Sequence, residues 1–274
     1  MSLTKTQTLA LLHNAALKPK RKFGQNFVVD ENTLKKIVRL ASVGSGDSVL
    51  EIGAGLGALS EALLETGAAV TSLEVDPDLM EILRHRPELN GIRFVEGDAL
   101  TIALEDIAPA DKAPWTVVAN LPYNVATPVI LRCLEQAPQI TRLLIMIQAE
   151  VGERLAAHPG DAAYGAVSVR VDYHATAKVV GRIPPTVFVP QPNVESVFVA
   201  LDRRATPRVE ESVASEAEIF TLVRQAFSQR RKMLRRSLAG IVSDAAFAIA
   251  DVAPTARPEE LDVVAFGRLA AAVQ

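Results

Sequence analysis

Four short apolar runs between residues 48 and 120 each stop at a glycine or a polar residue, and a helical pattern or a turn signal follows each one. Ser48-Val49-Leu50-Glu51-Ile52 runs into Gly53-Ala54-Gly55-Leu56-Gly57, with a helical pattern from Ala58 to Glu65. Ala69-Val70-Thr71-Ser72-Leu73-Glu74 ends on an acid, and Asp76-Pro77 behind it supplies an N-cap and a first-turn proline. Ile92-Arg93-Phe94-Val95 leads into Gly97-Asp98, and Trp115-Thr116-Val117-Val118-Ala119 stops at Asn120. A fifth run covers Arg142 to Ile147. Strands that alternate with helices build a parallel sheet covered on both faces. The pattern therefore predicts an α/β chain with a doubly wound, Rossmann-like sheet. Ligands of such sheets sit at the carboxyl ends of the strands, where the strand order reverses. The glycine loop, Glu74, Asp98 and Asn120 are thus expected to converge on one crevice.

Downstream the pattern changes. Residues 164–202 read as strand-rich and proline-interrupted, with Ile183-Pro184-Pro185 and Val189-Pro190-Gln191-Pro192. From about residue 212 the pattern is helical, broken at Pro254 and Pro258. Arg203-Arg204-Ala205-Thr206-Pro207 reads as a linker. The expected organisation is a basic N-terminal extension over 1–22, an α/β domain carrying the ligand crevice over 23–203, and a small C-terminal all-helical domain over 204–274.

The net charge of -3 over 274 residues hides segregation. Residues 1–22 carry +5, residues 23–119 carry -9, residues 120–199 are neutral and residues 200–274 carry +1. Lys18, Lys20, Arg21 and Lys22 form one basic cluster, and Arg230, Arg231, Lys232, Arg235 and Arg236 a second. A basic cluster at each end of an acidic block reads as two sets of phosphate contacts. Lys20, Arg21, Lys22, Arg230, Arg231 and Lys232 are the candidate phosphate contacts, and nucleic-acid binding through them is expected to be salt-sensitive despite the acidic balance. The single cysteine, Cys133, excludes an intrachain disulfide and points to a reducing, cytoplasmic compartment. No run of about 18 apolar residues exists to span a membrane. The N-terminal apolar run precedes its basic cluster, the reverse of a secretory signal. His13, His85, His158 and His174 show no ligand spacing, so no metal site is expected.

The glycine loop by itself leaves the cofactor open. It fits a dinucleotide fingerprint, and Glu74, 21 residues after Gly53, suits a ribose-binding acid in either a nicotinamide or an S-adenosylmethionine site. Three features favour S-adenosylmethionine. Glu51 adds negative charge near a cationic sulfonium. Asp98 can accept from an exocyclic adenine amine. Asn120-Leu121-Pro122-Tyr123 has no evident use in hydride transfer.

That last tetrapeptide has a use in transfer to an amine. The lone pair of an exocyclic adenine amine is delocalised into the ring, so the amine is a poor nucleophile. Acceptors aimed at both of its N–H bonds pull the nitrogen toward tetrahedral geometry and free the lone pair. Asn120 supplies a side-chain oxygen and Leu121 a backbone carbonyl, which Pro122 holds in an extended geometry. Tyr123 offers a face for the base, worth roughly 1–3 kcal/mol. Positioning then does the rest, with no covalent intermediate. The base must leave its stack to reach this pocket. Phe188, on the stiff Val187–Pro192 segment, is the candidate to clamp its other face.

These segments resemble a known family. Lys22-Phe23-Gly24-Gln25-Asn26-Phe27, Glu51–Gly57, Asn120-Leu121-Pro122-Tyr123-Asn124, Val187–Ser196 and Phe227-Ser228-Gln229-Arg230-Arg231-Lys232 are similar to the small-subunit ribosomal RNA adenine N6,N6-dimethyltransferases, from about residue 18 to the end. The resemblance implies dimethylation of two adjacent adenines in a hairpin loop near the 3′ end of 16S-type RNA. It also implies a role in small-subunit maturation, with the subunit precursor and its rRNA as partners and a monomeric enzyme. By position it implies that Gln25, Asn26 and Val28 line the cofactor and that Gly53 and Gly55 lie under its methionine part. Glu74 would hold the ribose, Asp98 and Ala99 the adenine, and Asn120 both cofactor and target amine. Val28 stands where the family usually has Leu, and Ala149 where it commonly has Lys.

Two other readings fit the same residues. The related large-subunit rRNA dimethyltransferases of macrolide resistance usually carry Ile at the Leu121 position. A non-catalytic rRNA-binding assembly factor on the same fold would not need an intact pocket. A nicotinamide dehydrogenase is the third and most distant.

Overall fold

The computed structural model describes residues 3–15, 17–112 and 114–273, and of Arg21 the backbone only. In chain order the elements are α1 (Lys5–Asn14), β1 (Phe27–Val28), α2 (Glu31–Ala41), β2 (Ser48–Ile52), α3 (Ala58–Leu64), β3 (Ala69–Glu74) and α4 (Pro77–Arg84). Then come β4 (Arg93–Glu96), α5 (Leu104–Ile107), β5 (Trp115–Asn120), α6 (Ala126–Gln136), β6 (Ile140–Gln148) and α7 (Ala149–Leu155). The rest are α8 (Ala166–His174), β7 (Ala175–Ile183), β8 (Phe188–Val189), β9 (Ser196–Arg203), α9 (Glu216–Ser228), α10 (Leu234–Ser237), α11 (Asp244–Ile249) and α12 (Val263–Val273). All five strands expected between residues 48 and 147 are present.

A seven-stranded sheet has the order β4-β3-β2-β5-β6-β9-β7. The neighbours from β4 through β6 pair in parallel, and β9 joins β6 antiparallel. The chain winds outward from β2 to β4, then returns to place β5 on the other side of β2. The switch point therefore lies between β2 and β5, where the glycine loop and Asn120 emerge side by side. A separate two-stranded ribbon pairs Phe27 with Val189 and Val28 with Phe188.

Asp76 caps α4 by accepting from the Asp78 N–H, with Pro77 in the first turn, as the sequence signals. One layer of core lies on the sheet, with Leu34 and Ile37 of α2, Leu59 and Leu63 of α3, and Val49, Val118, Leu144 and Phe198 of the strands. These side chains come from every third or fourth helical position and from alternate strand positions, the two periods that put residues on one face.

The chain divides into two compact units, residues 1–152 with 179–202 and residues 153–178 with 203–274. One of the breaks between the units falls between Asp202 and Arg203. The sequence did not signal that residues 153–178 leave the α/β part and join the helical one. The reason is local. Ala166–His174, expected to be strand, is α8. Its valines at 167, 169 and 171 alternate like a strand, but Val169 and Tyr173 are four apart and both are buried with Phe220 and Val223 of α9. Tyr173 meets Phe220 edge-on at 5.3 Å. Packing at helical spacing overrides the β-branched pattern. The described residues among 1–22 are not a separate extension either. They belong to the α/β unit, where Leu3 and Leu12 are buried with Phe27, Leu56 and Leu79. No described helix is long and apolar enough to cross a membrane.

Candidate active site

A cavity of about 310 Å³ opens at the switch point, large enough for a small ligand. Its wall includes Gln25, Asn26 and Val28 from the N-terminal side, Gly53 and Gly55 from the loop after β2, and Glu74 from the end of β3. Asp98 and Ala99 after β4, and Asn120, Leu121, Pro122 and Tyr123 after β5, complete it. All nine residues assigned to a cofactor from the sequence thus line one space.

The glycine loop is fixed by its backbone. Gly53 and Ala54 both donate to the Leu73 carbonyl, at 2.8 and 3.2 Å. Gly55 has φ +60, and a Cβ there would sit 3.3 Å from the Phe27 ring, so only glycine lets the loop pass under the N-terminal segment. Gly57 has φ +82, and its absent Cβ leaves room for Leu89, Leu83 and Arg86. Arg86, 9 % exposed, holds the loop from behind. It donates to the Leu56 carbonyl at 2.7 Å and to Glu61 at 2.9 Å. Nothing in the sequence singled Arg86 out, because its partners lie 25 to 30 residues away. Arg132 of α6 does a similar service for the third loop, donating to the carbonyls of Ala99 and Ile102, each at 2.6 Å.

The acids divide in a way the sequence did not anticipate. Glu51 does not line the cavity. It is fully buried, and one carboxylate oxygen accepts from the hydroxyls of Ser60 and Ser72. Burial pushes its pKa up to about 7, against the effect of the two hydroxyls. The expectation that Glu51 charges the ligand site is therefore corrected. Inward strand positions of a two-face-covered sheet are core, and an acid there is an interior hydrogen-bonding group. Its folded pKa lies above its value in the unfolded chain. The associated stability is full below about 4.5 and is lost as pH rises through about 7. The Glu51→Gln protein should therefore gain melting temperature relative to wild type as pH is raised from about 5 to about 8. Parallel curves over that range would show that the carboxyl is not held neutral.

Glu74 does face the cavity. Its Oε2 accepts from the Gly55 N–H at 2.8 Å and its Oε1 from the N–H groups of Val75 and Asp76, each at 2.9 Å. Burial raises its pKa, opposed by these three donors. Asp98 spends one oxygen on the Leu100 N–H at 2.8 Å and is exposed at the rim.

Asn120 is held by a single well-defined contact. Its Nδ2 donates to the Asn26 carbonyl at 2.9 Å, which fixes the amide orientation and leaves Oδ1 with no partner among the described residues. The Leu121 N–H donates to the Met146 carbonyl at 3.1 Å, while no described group donates to the Leu121 carbonyl. Two acceptors thus remain uncommitted beside the cavity. Tyr123 is anchored through its hydroxyl, 3.1 Å from Ser196 Oγ on β9.

Two expected site residues, Phe188 and Lys20, are placed differently. Phe188 is 3 % exposed, pairs with Val28 in the short ribbon and is buried in the sheet core. It is not in the cavity wall, so in this arrangement it does not clamp a base. Prolines stiffen its loop, but an apolar ring on a strand opposite the buried Val28 gains more from the core. Lys20 is not a free phosphate contact, because its ammonium lies 2.6 Å from both Asp76 and Asp78. The Arg21 side chain lies outside the described residues. Lys22 is exposed at the cavity edge with its ammonium 4.5 Å from the centre of the Phe23 ring. In the helical unit Arg230 is partly engaged, donating to the Ala162 carbonyl at 2.9 Å, with Glu259 at 3.6 Å. Arg231 and Lys232 are exposed and have no ion pair among the described residues.

The sequence was compared with known proteins. The model of the family described as Ribosomal RNA adenine dimethylase matches residues 16–266. A protein of Bifidobacterium longum named Ribosomal RNA small subunit methyltransferase A is 43 % identical over 277 residues, covering 95 % of this chain and 90 % of that one. One of the same name from Streptomyces coelicolor is 44 % identical over 265 residues, covering 93 % and 91 %. Among solved structures, a dimethyladenosine transferase of Plasmodium falciparum shares the fold with a TM-score of 0.72 at 24 % identity, covering 89 % of this chain and 95 % of that one. The 23S rRNA methyltransferase ErmE aligns with a TM-score of 0.67 at 26 % identity, covering 90 % and 99 %. With a family match over most of its length and relatives above 40 % identity, this chain is a member of the ribosomal RNA adenine dimethylase family.

Proposed function

We propose that the protein dimethylates N6 of two adjacent adenines in a hairpin loop near the 3′ end of small-subunit rRNA, with S-adenosylmethionine as methyl donor. It would act on the subunit precursor during maturation, as a cytoplasmic monomer. The observation that carries the reading is the end of β5. Asn120 Oδ1 and the Leu121 carbonyl are the two acceptors that an exocyclic amine needs, and the Asn26 carbonyl keeps the first of them turned outward. Family membership and the small-subunit names of the relatives support the substrate class.

The cavity fits the cofactor on three counts. Gly55 leaves a cradle that a Cβ would fill, Glu74 presents a carboxylate, and Asp98 keeps one oxygen uncommitted at the rim. Gln25, Asn26, Val28, Gly53 and Gly55 would hold the amino-acid part, Glu74 the ribose, and Asp98 with Ala99 the adenine. S-adenosylmethionine supplies a methyl carbon made electrophilic by a cationic sulfonium. The chain's part is orientation. Asn120 and Leu121 accept the two N–H bonds of the target amine, and Pro122 holds the Leu121 carbonyl in place. Tyr123, steadied by Ser196, offers its ring to the base. The exposed Arg231 and Lys232 would meet phosphates, with Lys22. Replacing Arg231 and Lys232 by Gln should lower RNA affinity and reduce the slope of log K against log salt by roughly two. An unchanged slope would remove them from the interface.

The deciding experiment is incubation with labelled S-adenosylmethionine and either undermethylated small subunits or naked large-subunit RNA, followed by mapping of the modified nucleotides. Dimethyladenosine at two neighbouring positions of the small subunit is the expected product. Transfer only to the large-subunit RNA would establish the related resistance-type activity instead. Binding to subunits without any transfer would mark an assembly factor.

A further inference from the structure

Lys20 sits in a segment whose charge reads as a phosphate contact, yet its ammonium is used inside the protein. It lies 2.6 Å from Asp76 Oδ1 and 2.6 Å from Asp78 Oδ2. Asp76 is 1 % exposed, and its second oxygen accepts from the Gln25 amide at 2.8 Å. Gln25 in turn accepts the Lys20 backbone N–H at 2.8 Å. Lys20, Gln25 and Asp76 thus close a ring that fastens the turn at 20–25 onto the start of α4. The Asp76 N–H donates to Glu74, and Glu74 accepts from the Gly55 N–H. One continuous series of hydrogen bonds joins Lys20 to the glycine loop through the acid in the cavity wall. Upstream, Leu3 and Thr8, both buried, line the same cavity, and Leu3 and Leu12 pack with Leu56 and Leu79.

We infer that Asp76 and Lys20 are positioning residues for cofactor binding, a latch that straps residues 20–25 across the S-adenosylmethionine cavity and holds Gln25 in its wall. The inference rests on the cofactor reading above. Of Glu74, Asp76 and Asp78, Asp76 is the one that is buried and bonded to the strap by two separate side chains. A ligand under the strap leaves when the strap lifts, so the latch governs cofactor retention, while the Asn26 carbonyl that orients Asn120 is kept in place by the adjoining ribbon, where Phe27 pairs with Val189.

The test uses full-length Lys20→Met, Lys20→Arg and Asp76→Asn proteins. Three quantities are read: S-adenosylmethionine affinity and dissociation rate, single-turnover methyl transfer at saturating cofactor, and RNA affinity against salt. Lys20→Met and Asp76→Asn are expected to weaken cofactor binding about tenfold, the scale of one charge-assisted hydrogen bond, mostly through faster dissociation. The single-turnover rate and the salt slope for RNA should stay near wild type, and Lys20→Arg should restore most of the affinity. Lys20 is partly exposed, so its variants keep the test valid should Asp76→Asn fail to fold. Unchanged cofactor binding in Lys20→Met overturns the latch, and a reduced RNA salt slope in that protein would return Lys20 to the phosphate contacts. A wild-type protein that does not bind S-adenosylmethionine overturns the cofactor reading itself, and the latch with it.

Discussion

Asn120→Ala is expected to lose about 10²- to 10³-fold in kcat, the usual effect of deleting one preorganised hydrogen-bonding group aimed at the reacting atom. The substitution removes the outward-facing Oδ1 and also the Nδ2 bond to the Asn26 carbonyl. RNA affinity should stay near wild type, because phosphate contacts dominate such binding and Asn120 carries no charge. Asn120→Asp separates the two roles. It keeps an acceptor but sets a carboxylate oxygen against the Asn26 carbonyl in place of a donor, so activity between those of wild type and Asn120→Ala is expected. Single-turnover transfer with a saturating RNA substrate measures both. Wild-type rates in Asn120→Ala would show that the amine is oriented by other groups.

The largest effect on stability is expected from Arg86→Met. Arg86 and Glu61 form an ion pair with both side chains under 10 % exposed, and the Leu56 carbonyl is the second acceptor of the guanidinium. Methionine fills the volume but leaves the Glu61 carboxylate in the interior without its guanidinium. Breaking a buried pair from one side costs about 3–5 kcal/mol, which for a unit of this size lowers Tm by roughly 10 °C. Because Arg86 also braces the glycine loop from behind, the cofactor KM should rise along with the loss of stability. A melting temperature equal to wild type would show that the pair contributes nothing net. A normal KM in a destabilised protein would confine Arg86 to the core.

Much of the site is local in sequence, and that part was legible. A strand that ends in a polar residue and turns into a helix carries its own signals: apolar run, glycine or acid, cap. Glu74, Asp98 and Asn120 each sit at such an ending, and a parallel sheet has nowhere to put strand ends except along one edge. The misplaced residues share a different property. Lys20, Phe188 and Glu51 have side chains whose meaning depends on partners far along the chain. A lysine in a basic run looks solvated until Asp76 is brought to it from 56 residues away. Phe188 looks like a stacking ring until Val28 pairs with it. Glu51 looks like a site charge until Ser60 and Ser72 turn out to face it in the core. The α8 segment failed for a related reason, since valines at alternate positions fit a strand until α9 offers them a helical partner.

The sequence by itself determined the α/β class, the five strands from residue 48 to 147, the cavity-lining ends of four of them and the family motifs, because hydrophobic period, glycine placement and capping are read within a few residues. Only the tertiary structure decided which charges face a ligand and which hold the protein together. An ion pair such as Lys20–Asp76 or Arg86–Glu61 is defined by distance in space and by exclusion of water, and neither exists until the sheet has brought the two ends of the contact together.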